Sequence, residues 1–474
     1  MSAQIKFGTD GWRGIIAQDF TFDNVRACAQ AVADHLKDAG LDGRGLVVGY
    51  DNRFASEDFA AAAAEVLAGN EIRAFLCSRA TPTPVVSHGV VAGHRGGAII
   101  ITASHNPALW NGFKFKSELG ASAPPQVTSE LEKRIAEIIA RGGIKHLPLA
   151  QAQNQGLVET TDLAPTYLDH IARLVDVERI RQAGLKVALD SMYGVGAGYI
   201  DSILGGGPSR IIEIHKERNP LFPGLQPEPI APNLSGLAAT IRETGSDVGL
   251  ATDGDADRLG VMDEEGNFLT PLQVFALLAL YLLEVRGERG PLVKTITSST
   301  MLYRLGELFS VPVHETPIGF KYVAPAMMSL NALMGGEESG GYGFRDHVPE
   351  RDGILAGIYL LDLMVSLGKK PSELVEYLYS RVGPHYYHRL DVEIPQEQHQ
   401  KVIDRITHHT PARLAGTPVA RLDTQDGFRF ILDDGSWLLI RFSGTEPLAR
   451  IYAESHSPER VEKLLEAGRN LAGL

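Results

Sequence analysis

Three aspartates stand two residues apart in Asp253-Gly-Asp255-Ala-Asp257-Arg258. In extended backbone, residues two apart face the same side. Three carboxylates would then converge, and they repel one another unless a cation neutralises them. Ligation by oxygen alone suits Mg2+ or Ca2+. A helix–loop–helix Ca2+ site would place Glu264 at loop position 12, but its position 6 should be Gly and is Arg258. The flanking stretches 247–251 and 259–262 also have the composition of strands rather than helices. An acidic turn facing solvent is the remaining alternative.

Ser104 lies in Thr102-Ala-Ser-His-Asn-Pro107, directly after the apolar run 98–101. A strand that ends there can present a hydroxyl to a cleft, although Ser, Asn and Pro are also ordinary turn residues. No G-x-S-x-G occurs, so a hydrolase nucleophile elbow is excluded. Gly335-Gly-Glu337-Glu338-Ser339-Gly-Gly341 offers carboxylates and a hydroxyl suited to sugar hydroxyls. An acidic surface loop would have the same composition. Arg441-Phe-Ser443-Gly444-Thr445 has the parts of a phosphate nest, or of a hairpin turn. Arg13 sits in a second Gly-rich loop, residues 7–14. Gly194-Val-Gly-Ala-Gly198 has Tyr199 where a dinucleotide fingerprint needs its third Gly, and there is no Walker A match. Cys28 and Cys77 read as small buried hydrophobes.

The elements that must position these groups repeat. Segments 45–53, 184–192 and 290–299 each join a Gly, a short apolar run and a polar turn. A second apolar run follows in each section and stops abruptly in a polar loop, at 96–107, 246–258 and 331–344. Strands mixed with helices imply α/β units with largely parallel sheets, whose ligands bind beyond the carboxyl ends of strands. Ile354, Ile358, Leu361 and Val365 recur at helical spacing and are expected in the core. The C-terminal stretch differs: a strand at 437–442, a turn at 443–447, extended chain to 454, then a helix opened by Ser457-Pro458 with Glu459 in its first turn. The expected architecture is three similar α/β domains and a C-terminal α+β domain around one central cleft. The divisions are 1–160, 161–264, 265–383 and 384–474.

Composition narrows the function. The net charge of −13, with no Lys/Arg-rich run, argues against nucleic acid and membranes as partners. Phosphorylated small molecules remain, because a few placed arginines suffice for them. Two cysteines exclude a secreted disulfide framework and fit a reducing cytosol. The opening residues contain no apolar signal core. The longest apolar run, 274–283, is too short to span a bilayer. A soluble cytoplasmic protein is expected.

The ordered set FGTDGWRG, TASHNP, DGDADR, GEESGG and RFSGTEP closely resembles the α-D-phosphohexomutases, the phosphoglucomutase and phosphomannomutase enzymes. The resemblance runs from Phe7 to about Glu454. It implies that Ser104 is a phosphoserine that donates and recovers the phosphoryl group. It implies Mg2+ on Asp253, Asp255 and Asp257, with an oxygen on phosphorylated Ser104 as a further ligand. Arg13, His105, Lys114 and Arg258 match positions near the reacting phosphoryl, with Lys114 as a general acid/base. Glu337 and Ser339 match the pair that holds sugar hydroxyls, and Lys321 matches a lysine of the glucose-type branch. Arg441, Ser443, Gly444 and Thr445 match the grip on the phosphate that is not transferred. GEES, Gly341 and residues 346–353 favour glucose phosphates, with glucose 1,6-bisphosphate as intermediate and activator. Phosphomannomutase, amino-sugar phosphate mutase and glucose 1,6-bisphosphate synthase share the fold. A non-catalytic sugar-phosphate sensor should have lost Ser104 or an aspartate, and none is lost. A monomer or homodimer is expected.

Overall fold

The computed structural model describes residues 5–8, 10–408, 410–442 and 448–473. Four sheets follow one another along the chain. The first has the spatial order Trp12–Ile15, Trp110–Lys116, Ala98–Ile101, Leu46–Tyr50, Ala74–Cys77, Val158–Thr161. Its last four strands are parallel, and Trp110–Lys116 runs antiparallel to both of its neighbours. The second orders Phe268–Leu269, Leu259–Met262, Val248–Thr252, Lys186–Asp190, Arg210–Ile214. The third orders Val313–Thr316, Leu292–Thr295, Met334–Gly336, Tyr342–Phe344. The fourth, formed by six strands between Tyr386 and Ser455, is antiparallel throughout. The fold is therefore three α/β units with mixed, largely parallel sheets and an antiparallel C-terminal unit.

The repeats have a common structural meaning. In each unit the first apolar run pairs in parallel with the second: Leu46–Tyr50 with Ala98–Ile101, Lys186–Asp190 with Val248–Thr252, and Leu292–Thr295 with Met334–Gly336. The next strand then turns back antiparallel, at Trp110–Lys116, Leu259–Met262 and Tyr342–Phe344. Ser104, the aspartate triad and Glu337 all lie in the loop between those two strands. Parallel strands are covered on both faces, so they read as unbroken apolar runs. All four residues of Ala98–Ile101 are buried. Each such Ile contributes about 1.5–3 kcal/mol.

The run 274–283 is a helix buried on all sides, Pro271–Leu280, continued by a π-turn over Tyr281–Val285. Thr270 and Gln273 cap its start reciprocally. Helix Gly353–Leu367 buries Ile354, Ile358 and Leu361, while Val365 lies at its rim. Helix Pro458–Ala472 starts at Ser457, whose side chain accepts from the Arg460 N–H. The two cysteines are free and buried, and burial pushes both thiols up in pKa. No helix among the described residues is long and apolar enough to cross a membrane.

Candidate active site

The aspartate loop leaves strand Val248–Thr252 and returns in Leu259–Met262. It is a turn, not extended chain: Ala256 has a φ of 59°. The N–H groups of Asp257 and Arg258 both donate to Asp253 Oδ1, at 3.0 and 3.2 Å. Wrapping around one carboxylate, rather than strand alternation, brings the three together, with one oxygen from each within 4.8 Å of the others. All three are fully buried, which removes the solvated-turn alternative, and strands on both sides remove the helix–loop–helix one. Oδ1 of Asp255 and Oδ1 of Asp257 are buried without a hydrogen-bond partner among the described residues. Buried carboxylate oxygens are rarely left so, and an all-oxygen set with free lone pairs fits a hard divalent cation.

Ser104 faces this triad. Its Oγ donates to Asp253 Oδ2 at 2.7 Å and lies 3.3 Å from His105 Nδ1. Its φ of 52° is left-handed, a conformation that costs roughly 1–3 kcal/mol without glycine. Thr102 Oγ1 accepts from the Ser104 N–H at 2.9 Å, which helps to hold it there. The two loops touch through Gly254, where a Cβ would stand 2.4 Å from the Ser104 carbonyl oxygen. Gly194, of the segment without a dinucleotide fingerprint, packs its Cα side against the same loop, 2.8 Å from the Asp253 carbonyl oxygen for an added Cβ.

Cations surround the pair. Lys114 Nζ lies 2.6 Å from Asp10, 2.7 Å from Asp255 and 3.4 Å from Asp257. Burial alone would lower the lysine, but these carboxylates override it and push its pKa up. Lys114 is thus held as an ammonium. Burial would raise Asp255, yet Lys114 beside it holds it well below the carboxylate range. Burial and the charges of Asp257 and Asp255 push Asp253 well up. Burial and the positive charges of Arg258 and Arg13 hold His105 well below its usual value, so its ring is neutral. Arg13 donates to Asn106 Oδ1 at 2.5 Å, and Arg258 to Glu228 Oε1 at 3.0 Å.

The remaining expected residues spread outward. Glu337 is buried 3.6 Å from Arg351, and burial lifts its pKa to about 7. Ser339 is half-buried in the same loop. Lys321 Nζ lies 3.5 Å from the Gly8 carbonyl oxygen and 5.4 Å from the Tyr322 ring centre. Arg441 Nε donates to Asp426 at 2.9 Å. Ser443, Gly444 and Thr445 lie outside the described residues.

Four residues without an assigned role enter the site. Arg351 contacts Asp257 at 2.8 Å, Asp10 at 2.5 Å and Glu350 at 3.2 Å, and so joins the aspartate loop to Glu337. Asp10 binds both Lys114 and Lys116. Thr83 Oγ1 donates to Asp255 Oδ2 at 2.6 Å. Arg53 holds the Ser104 loop from behind. Asp10 and Arg351 were visible inside charged motifs, FGTDGWRG and DHVPERDG. Thr83 had no signal.

A serine seated on a buried carboxylate triad, at the strand ends of a repeated α/β fold, suits metal-assisted phosphoryl transfer. Four domain families match in order. They are phosphoglucomutase/phosphomannomutase alpha/beta/alpha domain I over residues 4–141, domain II over 165–266, domain III over 270–382 and the C-terminal domain over 392–471. A phosphoglucomutase/phosphomannomutase of Thermococcus kodakarensis is 31% identical, covering 98% of both chains. A phosphoglucosamine mutase of Thermobifida fusca is 30% identical over 97% of this chain and 96% of its own. The crystal structure of a candidate phosphomannomutase from Thermus thermophilus superposes with a TM-score of 0.86 at 35% identity, covering 100% of both. The chain belongs to the phosphoglucomutase/phosphomannomutase family, and it is a phosphohexomutase, an isomerase that interconverts sugar phosphates.

Proposed function

We propose that the protein interconverts glucose 1-phosphate and glucose 6-phosphate through a phosphorylated Ser104 and glucose 1,6-bisphosphate. The observation that carries this is the Ser104 hydroxyl on Asp253, 2.7 Å away, beside two carboxylate oxygens with no partner among the described residues. The GEES loop and residues 346–353 support glucose as the sugar. We place the working divisions near residues 160, 264 and 383, with each unit supplying one loop.

Asp253, Asp255 and Asp257 would hold Mg2+, which supplies charge compensation for the phosphoryl group when bound. Around it, Arg13, Arg258 and Lys114 offset the charge of about −1.5 to −2 that phosphoserine carries. The Ser104 O–P bond breaks as the phosphoryl passes to the free sugar hydroxyl, and the return transfer reverses this with the other phosphate. The hydroxyl proton needs an acceptor. His105 Nδ1 stands 3.3 Å from Ser104 Oγ, where it can pass a proton to or from that oxygen, and Lys114 is the general acid/base of this proposal. Glu337 and Ser339 would hold sugar hydroxyls, with Lys321 beside them. Arg441, with Ser443, Gly444 and Thr445, would hold the phosphate that stays. Glucose 1,6-bisphosphate would activate by phosphorylating Ser104. A soluble, cytoplasmic monomer or homodimer completes the proposal.

Two measurements test it. Intact-mass analysis of active enzyme should show one phosphate that disappears in Ser104→Ala, which should also lose most turnover. A variant with near-normal turnover refutes the phosphoserine. Coupled assays with glucose, mannose and glucosamine 1-phosphates side by side should favour glucose. Preference for glucosamine would move the enzyme to the amino-sugar reaction named for its Thermobifida relative.

A further inference from the structure

Arg53 follows Leu46–Tyr50 in the Asp51-Asn52-Arg53 turn, and its side chain is fully buried. All five guanidinium N–H groups are used. Nε donates to Asp51 Oδ2 at 3.2 Å. One terminal nitrogen donates to the carbonyls of Pro107 and Trp110, at 2.8 and 3.0 Å. The other donates to the carbonyls of Ser104 and Asn106, both at 2.6 Å. Phe222 lies 5.0 Å from the guanidinium carbon. Asp51 is itself fixed: its Oδ1 accepts from the Arg53 N–H and from Ser56 Oγ. The neighbouring Asn52 donates to the carbonyls of Tyr193 and Gly194, on the loop that packs against the aspartate turn.

We propose that Arg53 is a positioning residue for phosphoryl transfer, its planar fork gathering four carbonyls of the 104–110 loop so that Ser104 Oγ, His105 and Asn106 stand toward the aspartate triad. The inference rests on Ser104 as the phosphoryl acceptor. With the Ser104 N–H tied to Thr102 and its carbonyl tied to Arg53, both peptide groups beside the left-handed residue are fixed. An ammonium has neither five donors nor their planar spread, so lysine cannot reproduce the arrangement. Displacement of a reacting atom by about 1 Å is enough for a loss near a hundredfold.

The test measures phosphorylation of Ser104 from glucose 1,6-bisphosphate in single turnover, beside Mg2+ affinity and KM, in Arg53→Lys and Arg53→Ala. The expected result is folded protein with near wild-type Mg2+ affinity and KM, and phosphorylation slowed about a hundredfold in both variants. Millimolar guanidinium should restore part of the rate in Arg53→Ala, and methylammonium should not. Wild-type rates in Arg53→Lys overturn the proposal. So does an equal loss of Mg2+ binding and phosphorylation with no rescue, or failure of both variants to fold, since Arg53 then serves the fold alone. Failure of the phosphoserine reading appears separately, as wild-type enzyme that takes no phosphate on Ser104.

Discussion

Lys114 tests whether the centre is governed by charge balance. Its ammonium is buried among Asp10, Asp255 and Asp257, all within 3.4 Å. Lys114→Met keeps the length of the side chain and removes the charge. Three carboxylates then face one another with Arg351 and Lys116, on Asp10 and Asp257, as their remaining cationic partners. Breaking a buried ion pair from one side costs about 3–5 kcal/mol. For a domain of this size that is a fall in melting temperature of roughly 6–20 °C. Saturating Mg2+ should recover much of the loss, because a divalent cation on Asp255 and Asp257 replaces the missing charge. Wild type should respond less to the same addition. Thermal melts of both proteins in chelator and in excess Mg2+ give the four values needed. Equal destabilisation in the two conditions, or a loss below about 1 kcal/mol, would refute the charge argument.

Glu337 keeps its proton to about pH 7 in the native state but ionises near 4.5 when unfolded, so its contribution falls as pH rises between those values, by up to roughly 3 kcal/mol. Glu337→Gln should match wild type in urea midpoint at pH 5 and exceed it at pH 8. Burial holds His88 and His170 near 4, and they stack at the junction of the first three units with His347. The unfolded state therefore binds more protons below pH 6.5, and melting temperature should drop as pH falls from 6.5 toward 4, less steeply in His170→Phe. Arg441→Ala removes a charge-assisted contact worth roughly 1.5–3 kcal/mol, a ten- to hundredfold loss in kcat/KM. The loss should appear in KM and as leaked glucose 1,6-bisphosphate, with Ser104 phosphorylation unchanged.

The fold was legible because parallel strands leave an unbroken apolar signature. Ala98–Ile101 and Val248–Thr252 could be placed as strands from composition alone, and so could the loops at their ends. What composition could not provide was the pairing of loops across units. Thr83 reaches Asp255 from a sequence distance of 172 residues, and Arg351 reaches Asp10 from 341. Neither contact leaves a local pattern. The geometry within the aspartate loop was also hidden. Its spacing of two suggested an extended chain, but the backbone N–H groups of Asp257 and Arg258 find their acceptor on Asp253, and this local bonding wins over alternation. Lys114 was visible as a cation but not as one held between carboxylates, because two of its three partners come from another unit.

The distribution of charge explains why the serine and the triad are arranged as they are. Asp255 and Asp257 share Lys114, and Asp257 and Asp10 share Arg351. Lys116 joins Asp10 to Glu350. Among the described residues, Asp253 has no ammonium or guanidinium in contact. Its partners are two backbone N–H groups and the Ser104 hydroxyl, which is why burial and its neighbours lift its pKa so far. The site is therefore short of positive charge at one place, between Asp253 and Ser104. A phosphoryl group on Ser104 would deepen that deficit. The nearest guanidinium charges are those of Arg258, in the same loop, and of Arg13, bound to Asn106, and both also act on His105 next to the serine. In the proposed reaction such a centre would hold its carboxylates for a cation, and Arg13 and Arg258 for the phosphoryl group on the serine.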